Sequence, residues 1–369
     1  MGFLNRDQFH HFLPKKVVEL IPVQKAQKAQ KATQRRRMNI IILGMHRAGT
    51  SLLAHLVARW GGAAGAAGQL LAGDEWNPRG YWEHLPLTGF NDTLLESVDS
   101  AWNAPPADPA RVKALAAEPR FRERARELIA GMENSCAAGQ PWFWKDPRLT
   151  ALIPFWEEFW HDPVFVVPVR DPLAVAASLG DRDDLPLSAA LLLWQVSMLG
   201  VAAHVEKSRR RIYISYEEML RSPAAGCERL FAFLDEQCGD GRSGRNDRDL
   251  RPNTGELAKI VNPEFARHAT TESLAESADA TAEQKALSLF FERKTSRPDE
   301  PFNPVAHPVP PGWHDTLAAL HELKRARLII GEQDDRIRSL RRSVSYRLGR
   351  ALTKPFRLLR HRLLRRGKK

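Results

Sequence analysis

A short segment near residue 45 combines glycines, an arginine and hydroxyl side chains in a spacing that suits anion binding. Asn39–Leu43 is an apolar run typical of a buried strand, and it leads directly into Gly44-Met-His-Arg-Ala-Gly-Thr-Ser51. Gly44 and Gly49 stand at the spacing of a nucleotide phosphate-binding loop, with Ser51 at its Ser/Thr position. Glycines let successive N–H groups turn toward one point, and a following helix adds partial positive charge at its N-terminus. The segment therefore predicts a strand, a loop and a helix that bind a phosphate-like anion.

The cation of this loop is displaced from its position in nucleoside triphosphatases. Those loops carry lysine directly after the second glycine, where this chain has Thr50, and the cation here is Arg47 inside the loop. They also need a carboxylate that holds Mg²⁺, and the nearest candidate, Asp171, precedes Pro172 in the pattern of a helix N-cap. We expect an anion site without a metal. A P-loop small-molecule kinase is the enzymatic alternative.

A second cationic segment follows the apolar run 163–169. Arg170 ends this predicted strand, and Ser178 lies about two turns into the helix that begins after it. The carboxyl ends of parallel strands face the crevice in which such sheets bind ligands, and a guanidinium suits a dianionic phosphate. Taken alone, this arginine could equally form a salt bridge, with the serine as an ordinary helix residue.

The two segments together resemble the donor-binding motifs of the sulfotransferases that use 3′-phosphoadenosine 5′-phosphosulfate (PAPS). The similarity is to the bacterial branch with a His-Arg-Ser/Ala-Gly-Thr-Ser loop, and it covers about residues 38–220. It implies that Arg170 and Ser178 bind the 3′-phosphate and that the first loop binds the 5′-phosphosulfate, with Ala48 in place of the commoner serine. The residues expected in the first loop are Gly44, Arg47, Ala48, Gly49, Thr50 and Ser51.

Two further blocks, one ending at Glu83 and one around Lys145, resemble the same branch. Sulfuryl transfer requires that the acceptor hydroxyl lose its proton, and a carboxylate within hydrogen-bond reach is a suitable base. By analogy with relatives we expect Glu83 as this base, with His84 as its rival. Arg47 or Lys145 would stabilise charge on the leaving oxygen. The alternatives are a structural ion pair of Glu83 and Lys145, and Arg148 as a site for an anionic acceptor.

The implied activity is metal-free transfer of a sulfuryl group from PAPS to a hydroxyl, of a carbohydrate or cell-surface glycan. A non-catalytic nucleotide-binding module at a membrane assembly is the non-enzymatic alternative. Some relatives close the nucleotide site with a late Gly-x-x-Gly-x-x-Lys loop, for which Gly241–Arg245 is a loose candidate and a flexible loop the other interpretation.

Strands and helices alternate between these motifs. This order predicts an α/β, P-loop-like three-layer sandwich with a central parallel sheet and a helical C-terminal extension. The predicted strands are 39–43, 142–144, 163–169 and 211–215, and the predicted helices are 50–60, 120–132, 172–179, 187–205 and 216–220. No apolar run was expected to approach the ~20 residues of a membrane span. Three cysteines without a CxxC spacing favour a reducing cytoplasm.

The net charge of +11 is concentrated at the two ends of the chain. Residues 1–37 hold nine Lys/Arg and two acids, and residues 336–369 hold fourteen Lys/Arg and no acid, which leaves −10 for residues 38–335. The basic pI therefore describes the ends and gives little support to nucleic-acid binding, so no nucleic-acid partner is expected. Residues 1–37 read as a disordered basic leader, and translation could begin at Met1 or Met38.

The C-terminal region has its own pattern. We expect a sulfotransferase domain at 38–297, a proline-rich linker at 298–315 and a helical segment with a basic amphipathic tail at 316–369. A heptad-like seam from Leu323 to Val344 is typical of a short coiled coil, which would give a homodimer, or of an amphipathic helix packed on the core. The tail either lies on an anionic membrane surface, making the protein peripheral at the inner membrane face, or is solvated.

Overall fold

The computed structural model describes residues 39–66, 68–137, 140–238, 252–262, 273–303 and 307–342. Two compact units are distinguished, of which the first ends at His314 and the second begins at Asp315. The predicted leader, the Gly241–Arg245 loop and the tail beyond residue 342 lie outside the described residues.

The first unit alternates strands and helices, as the sequence predicts. In chain order the elements are β1 (Asn39–Ile42), α1 (Thr50–Trp60), α2 (Leu85–Glu96), α3 (Pro109–Leu115), α4 (Pro119–Asn134), β2 (Trp142–Lys145), α5 (Leu149–Trp156), β3 (Val164–Val169), α6 (Pro172–Asp183), α7 (Leu187–Val205), β4 (Arg211–Ser215), α8 (Tyr216–Arg221), α9 (Pro223–Cys238), α10 (Thr254–Ile260) and α11 (Ala282–Ser296). Helix α12 (Trp313–Arg342) follows and makes up most of the described part of the second unit.

The four strands form one parallel sheet in the order β2-β1-β3-β4. Strand β1 is central, and Ile41 pairs with Trp144 on one side and with Phe165 on the other. Parallel strands need crossover connections, and the helices between them supply these. The carboxyl ends of β1, β2 and β3 therefore lie at one edge of the sheet, where the glycine loop, Lys145 and Arg170 follow them.

Helices cover both faces of this sheet, which confirms the predicted three-layer architecture. Ile40, Val166 and Ile212 face one side, where they form a buried cluster with α1, α9 and α10. Trp144 and Tyr213 face the other, with ring centroids 4.5 Å from Trp156 of α5 and 6.0 Å from Phe291 of α11. Helix α7 packs on α5, α6 and α11 on this second side. Both faces of the strands are apolar because both are buried.

Helix α7 corrects one expectation, because it is long and apolar enough to cross a membrane by length and composition alone. It has 19 residues, and an 18-residue window within it has a mean hydropathy of 1.5 and is 61% buried inside the protein. Gln195 in its middle is fully buried and donates a hydrogen bond to the carbonyl oxygen of Pro308 at 2.9 Å. Its apolar composition therefore matches a core helix that packs against neighbours on several sides.

The segment 298–311, expected as a linker, makes specific contacts where the structure describes it. The carbonyl oxygen of Pro298 accepts hydrogen bonds from Arg211 and Lys294. Lys294 is fully buried and pairs with Glu206 at 2.5 Å. Beyond this segment, α12 starts three residues before the predicted helix and carries exposed apolar residues. These are Leu323, Leu328, Ile329, Ile330, Ile337 and Leu340.

Candidate active site

The glycine loop, residues Gly44–Ser51, connects β1 to α1 through two left-handed residues. The φ angle is +67° at Arg47 and +95° at Gly49. Any side chain at position 49 would be strained, and a Cβ there would lie 2.5 Å from Cδ2 of Tyr216. No described side chain caps α1 at Gly49. The first-turn N–H groups of the helix and its partial positive charge are therefore directed at the loop, where an anion would be bound.

Arg47 connects the two segments that the sequence assigns to phosphate binding. Its Nε donates to Oγ of Ser178 at 2.8 Å, and its Nη1 donates to the carbonyl oxygen of Trp76 at 3.3 Å. Arg170 in turn donates from Nη1 to the carbonyl oxygen of Arg47 at 2.7 Å. The fold thus brings the glycine loop and the end of β3 together at one site.

Arg170 and Asp171 adopt the geometry that the sequence suggests for them. The Arg170 guanidinium lies over the ring of Tyr216, 4.6 Å from its centroid. The carboxylate of Asp171 accepts the backbone N–H groups of Leu173 at 2.7 Å and Ala174 at 3.2 Å, which confirms the predicted N-cap. Among the described residues, no group of three or more His, Cys, Asp or Glu side chains could hold a metal ion.

Glu83 and Lys145 form the ion pair that the sequence left as an alternative, and both also line the cleft. Nζ of Lys145 is 2.6 Å from Oε1 of Glu83, and the two residues are 2% and 3% exposed. Arg148 is 3.3 Å from the other oxygen of Glu83, and it also pairs with Asp92 at 2.6 Å and Asp146 at 3.1 Å. Because three carboxylates already engage Arg148, the geometry gives no support to its alternative role as the site of an anionic acceptor.

Buried hydrogen bonds hold this ion cluster from the core side. Nε1 of Trp156 donates to Oδ1 of Asn91 at 2.8 Å, and Nδ2 of Asn91 donates to Oδ2 of Asp146 at 2.8 Å. Asn91 and Asp146 are completely buried. Buried ionic groups are costly unless their hydrogen bonds are satisfied. These hydrogen bonds therefore hold Arg148 and, through it, the Glu83 carboxylate in place.

His84 occupies a different environment from Glu83. Its Nε2 lies 2.8 Å from Oε1 of Gln69, and its ring approaches Gly65, so it is not among the residues that line the cleft. Burial lowers the pKa of His84 from its usual value of 6.5. Its position outside the cleft lining makes it less suited than Glu83 to take a proton from a substrate in the cleft.

His46, within the glycine loop, is an imidazole held neutral in cationic surroundings. Burial lowers its pKa well below 6.5, and the positive charges of Arg182, Arg148 and Lys145 lower it further. Its ring lies 4.5 Å from that of Trp102, and its buried Nε2 has no hydrogen-bond partner among the described residues. A neutral imidazole at this place can donate or accept a hydrogen bond without adding charge.

The glycine loop, Arg170 and the pair of Glu83 and Lys145 surround one cleft at the carboxyl edge of the sheet, whose empty space of about 990 Å³ includes the solvent at its mouth. The lining residues are His46, Arg47, Gly49, Thr50, Ser51, Leu52, His55, Trp76, Asn77, Pro78, Arg79, Gly80, Tyr81, Trp82, Glu83, Lys145, Pro147, Arg170, Arg182, Tyr216, Leu220, Ile260, Val261 and Asn262. Gly44, Ala48 and Ser178 lie just behind this surface: Ala48 and Ser178 are buried, and a Cβ at Gly44 would lie 2.9 Å from Pro168.

Sequence reasoning missed several residues of this cleft, and some of them had a usable signal. Tyr216 follows the carboxyl end of β4, so the rule that singled out Arg170 applies to it equally. Arg182 lies four residues after Ser178, on the same face of α6. Asn77, which donates from Nδ2 to Oγ of Ser51 at 3.1 Å, begins the block that ends at Glu83 and resembles the bacterial branch, but the sequence indicated no role for the asparagine itself.

Comparisons with known proteins identify a family. A model of the family described as "Sulfotransferase family" matches residues 39–240, more than half of the chain. Three solved structures are similar: the sulfotransferase domain of the Synechococcus PCC 7002 olefin synthase (17% identity, 70% of this chain and 95% of that chain, TM-score 0.38), the sulfotransferase domain of the curacin biosynthetic pathway (14%, 78% and 98%, 0.34), and sulfotransferase STF9 from Mycobacterium avium (17%, 74% and 81%, 0.35). No curated protein matches. Because the family model covers more than half of the chain, including the glycine loop and the arginine after β3, the chain belongs to the sulfotransferase family.

Proposed function

We propose that this protein transfers a sulfuryl group from PAPS to a hydroxyl group of a carbohydrate or cell-surface glycan. In this reaction the bond between sulfur and the bridging phosphate oxygen breaks, and a bond between sulfur and the acceptor oxygen forms. The acceptor proton passes to a carboxylate of the protein, and 3′-phosphoadenosine 5′-phosphate (PAP) leaves. The donor supplies the activated sulfuryl group.

The observation that carries this proposal is the junction at Arg47. The side chain of Arg47 donates to Ser178 at 2.8 Å, and the backbone carbonyl oxygen of Arg47 accepts a hydrogen bond from Arg170 at 2.7 Å. Two anion-binding segments that are far apart in the sequence therefore meet in one cleft, as a ligand with two separate phosphate groups requires. A nucleoside triphosphate carries its phosphates in one chain and has no need of a second site.

The residues present suit the donor. Arg47 and the first turn of α1 would hold the 5′-phosphosulfate, with the hydroxyls of Thr50 and Ser51 as additional donors. Arg170, kept in place by Tyr216, and Ser178 would hold the 3′-phosphate. Guanidinium groups are permanently charged and bind phosphate through paired N–H groups, so they compensate the donor charge without a metal.

Glu83 is the best-placed base for the acceptor hydroxyl. It lines the cleft, and Lys145 and Arg148 each contact one oxygen of its carboxylate. Lys145 lies at the end of β2, next to β1, and could donate to the bridging oxygen as charge develops there. Groups fixed before the reaction cost little reorganisation during it, which is why such preorganised sites accelerate group transfer.

Calorimetric titration with PAP and with ATP tests the donor assignment. We expect PAP to bind without added metal and at least tenfold more tightly than ATP, and Arg47→Ala to abolish most of this preference. Arg126→Ala, which changes an exposed arginine of α4, is the matched control. Preferential magnesium-dependent binding and turnover of ATP would instead favour the kinase alternative.

The carbohydrate acceptor is supported by the polar and charged side chains among the residues that line the cleft with Glu83. Incubation of the protein and ³⁵S-labelled donor with cell-surface polysaccharide fractions tests it. Label should appear in the carbohydrate with the wild type and be lost with Arg47→Ala. Labelling of protein or lipid alone would reject the glycan assignment.

We also propose that the C-terminal region places the protein at the inner membrane face and joins two copies. The exposed apolar residues of α12 support pairing, because burial of such residues is the usual source of coiled-coil stability. The basic residues beyond 342 support binding to anionic lipid. Deletion of residues 336–369 should release the protein from membrane fractions, and light scattering before and after deletion of 316–369 should show the loss of the dimer.

A further inference from the structure

The segment 74–81, here called the strap, crosses the cleft beside the glycine loop. Three hydrogen bonds join it to loop side chains expected to bind the donor. Arg47 donates to the carbonyl oxygen of Trp76 at 3.3 Å, Asn77 donates to Oγ of Ser51 at 3.1 Å, and Ser51 donates to the carbonyl oxygen of Tyr81 at 3.4 Å. The groups that would receive the 5′-phosphosulfate therefore hold the strap as well.

The strap has internal hydrogen bonds that make it move as one body. The Asp74 carboxylate accepts the backbone N–H groups of Trp76 and Asn77 at 2.9 Å each and the hydroxyl of Tyr81 at 2.8 Å. The Gly80 N–H donates to the carbonyl oxygen of Asn77 at 3.0 Å, and Nδ2 of Asn77 donates back to the carbonyl oxygen of Gly80 at 2.8 Å. A displacement at Asn77 is therefore transmitted to Tyr81.

Trp82 connects the strap to Glu83 and has an unfavourable backbone conformation. Its φ angle is +60°, in the left-handed region that a bulky side chain avoids. Its ring is held 5.3 Å from His55 and 6.1 Å from Phe143. On its other side, Glu83 is paired with Lys145 at 2.6 Å. A strained residue thus separates the segment that contacts the donor loop from the carboxylate that faces the acceptor.

We propose that Asn77 and Trp82 are positioning residues that couple donor binding to the orientation of Glu83. This inference rests on the proposed function. A phosphosulfate in the loop takes the Ser51 hydroxyl and the Arg47 guanidinium, so the strap loses its contacts on that side. Trp82 can then relax, and the resulting movement of the Glu83 backbone changes the angle of the carboxylate within its pair with Lys145, so that it faces the acceptor only after the donor is in place. Such an order prevents transfer of the sulfuryl group to water before the acceptor is bound.

Hydrogen–deuterium exchange of the full chain, with and without saturating PAP, tests the coupling. In the wild type, peptides that span residues 78–85 should exchange about threefold faster or more when PAP is bound, because the strap is released from the loop. In Asn77→Ala, which removes the amide that contacts Ser51, these peptides should exchange fast already and respond to PAP by less than half as much. Asn134→Ala, at an exposed end of α4, should behave as the wild type.

The outcomes separate this inference from the proposed function. PAP binding without any change at 78–85, or with slower exchange there, overturns the coupling and leaves the donor assignment intact. A full response in Asn77→Ala, or complete loss of its PAP binding, also overturns it, since Asn77 would then be either irrelevant or simply part of the donor site. No PAP binding by the wild type would reject the proposed function and the coupling together.

Discussion

Nε of Arg47 and Oγ of Ser178 are 2.8 Å apart, although the two residues are separated by 131 positions in the sequence. One belongs to the loop after β1 and the other to the second turn of α6, which follows the neighbouring strand β3. The contact exists because β1 and β3 are adjacent in the sheet and both end at the same edge. It brings the serine hydroxyl into contact with the arginine of the loop, next to the position that we propose for the donor nucleotide.

Ser178→Ala should weaken PAP binding by about tenfold or more, because it removes a hydrogen bond to a charged group worth ~1.5–3 kcal/mol. Affinity for adenosine 5′-monophosphate, which lacks the 3′-phosphate, should change little. Calorimetry with the two ligands measures the difference. Ser97→Ala, at an exposed serine, is the control, and an equal loss for both ligands would contradict the 3′-phosphate assignment.

Gly49→Ala should reduce PAP affinity by about tenfold or more, because a left-handed residue with a side chain costs ~1–2 kcal/mol and the new Cβ would meet Tyr216 at 2.5 Å. The loop must move to accept it, and the N–H groups move with the loop. Gly131→Ala is the matched control, since that helical glycine has open space around it. If both variants bound PAP as the wild type does, the loop geometry would not be what holds the donor.

Glu83→Gln should lower sulfuryl transfer by about 10²-fold or more, the usual contribution of a general base, while PAP affinity stays within twofold of the wild type. Transfer of ³⁵S under saturating donor measures the rate of sulfuryl transfer, and calorimetry measures the PAP affinity.

Lys145→Met should destabilise the fold by ~3 kcal/mol or more, because it leaves a buried carboxylate with one partner fewer. Urea unfolding would show this loss, and a Lys145→Met protein of unchanged stability would contradict the tight buried pair.

The stability of the protein should fall as the pH drops below about 6.5, in part because of His46. The pKa of His46 is well below 6.5 in the folded state and near 6.5 in the unfolded chain. At a pH between these two pKa values, the unfolded chain binds a proton that the folded chain does not. The free energy of unfolding should decrease by up to ~1.4 kcal/mol per pH unit in that range. His46→Gln should reduce this decrease between pH 7.5 and 5.5, measured by urea unfolding, whereas exposed His161→Gln should not. An unchanged pH dependence in His46→Gln would show that the imidazole is not held neutral.

The sheet and the donor side of the site could be predicted from the sequence because local signals specify them. Apolar runs of strand length give all four strands to within one residue, and the N-cap at Asp171 and the end of α7 at Val205 follow the expected boundaries. The glycine loop is a continuous motif, so its backbone geometry depends mainly on its own residues. Arg170 follows from the rule that parallel strands present ligand-binding groups at their carboxyl ends.

The acceptor side could not be predicted to the same depth, because tertiary packing assembles it. The pairing of Glu83 with Lys145 joins an irregular segment to an edge strand, and neither has a local pattern that indicates its partner. Asn91, which holds Asp146 by a hydrogen bond, lies on the buried face of α2 between Leu87 and Leu94, where helical spacing gives no reason to expect a polar residue. The left-handed backbone of Trp82 has no signal at all, since strain is tolerated only where the surrounding structure imposes it.

Strand β1 lies between β2 and β3, and these two neighbours lead to different parts of the cleft. Its neighbour β3 leads to the residues expected to grip the nucleotide, whereas the long excursion from residue 61 to 141 and the opposite neighbour β2 bring the strap, Glu83 and Lys145. We expect substitutions in that excursion to act first on the proposed acceptor side of the cleft, and substitutions after β3 to act on the proposed donor side.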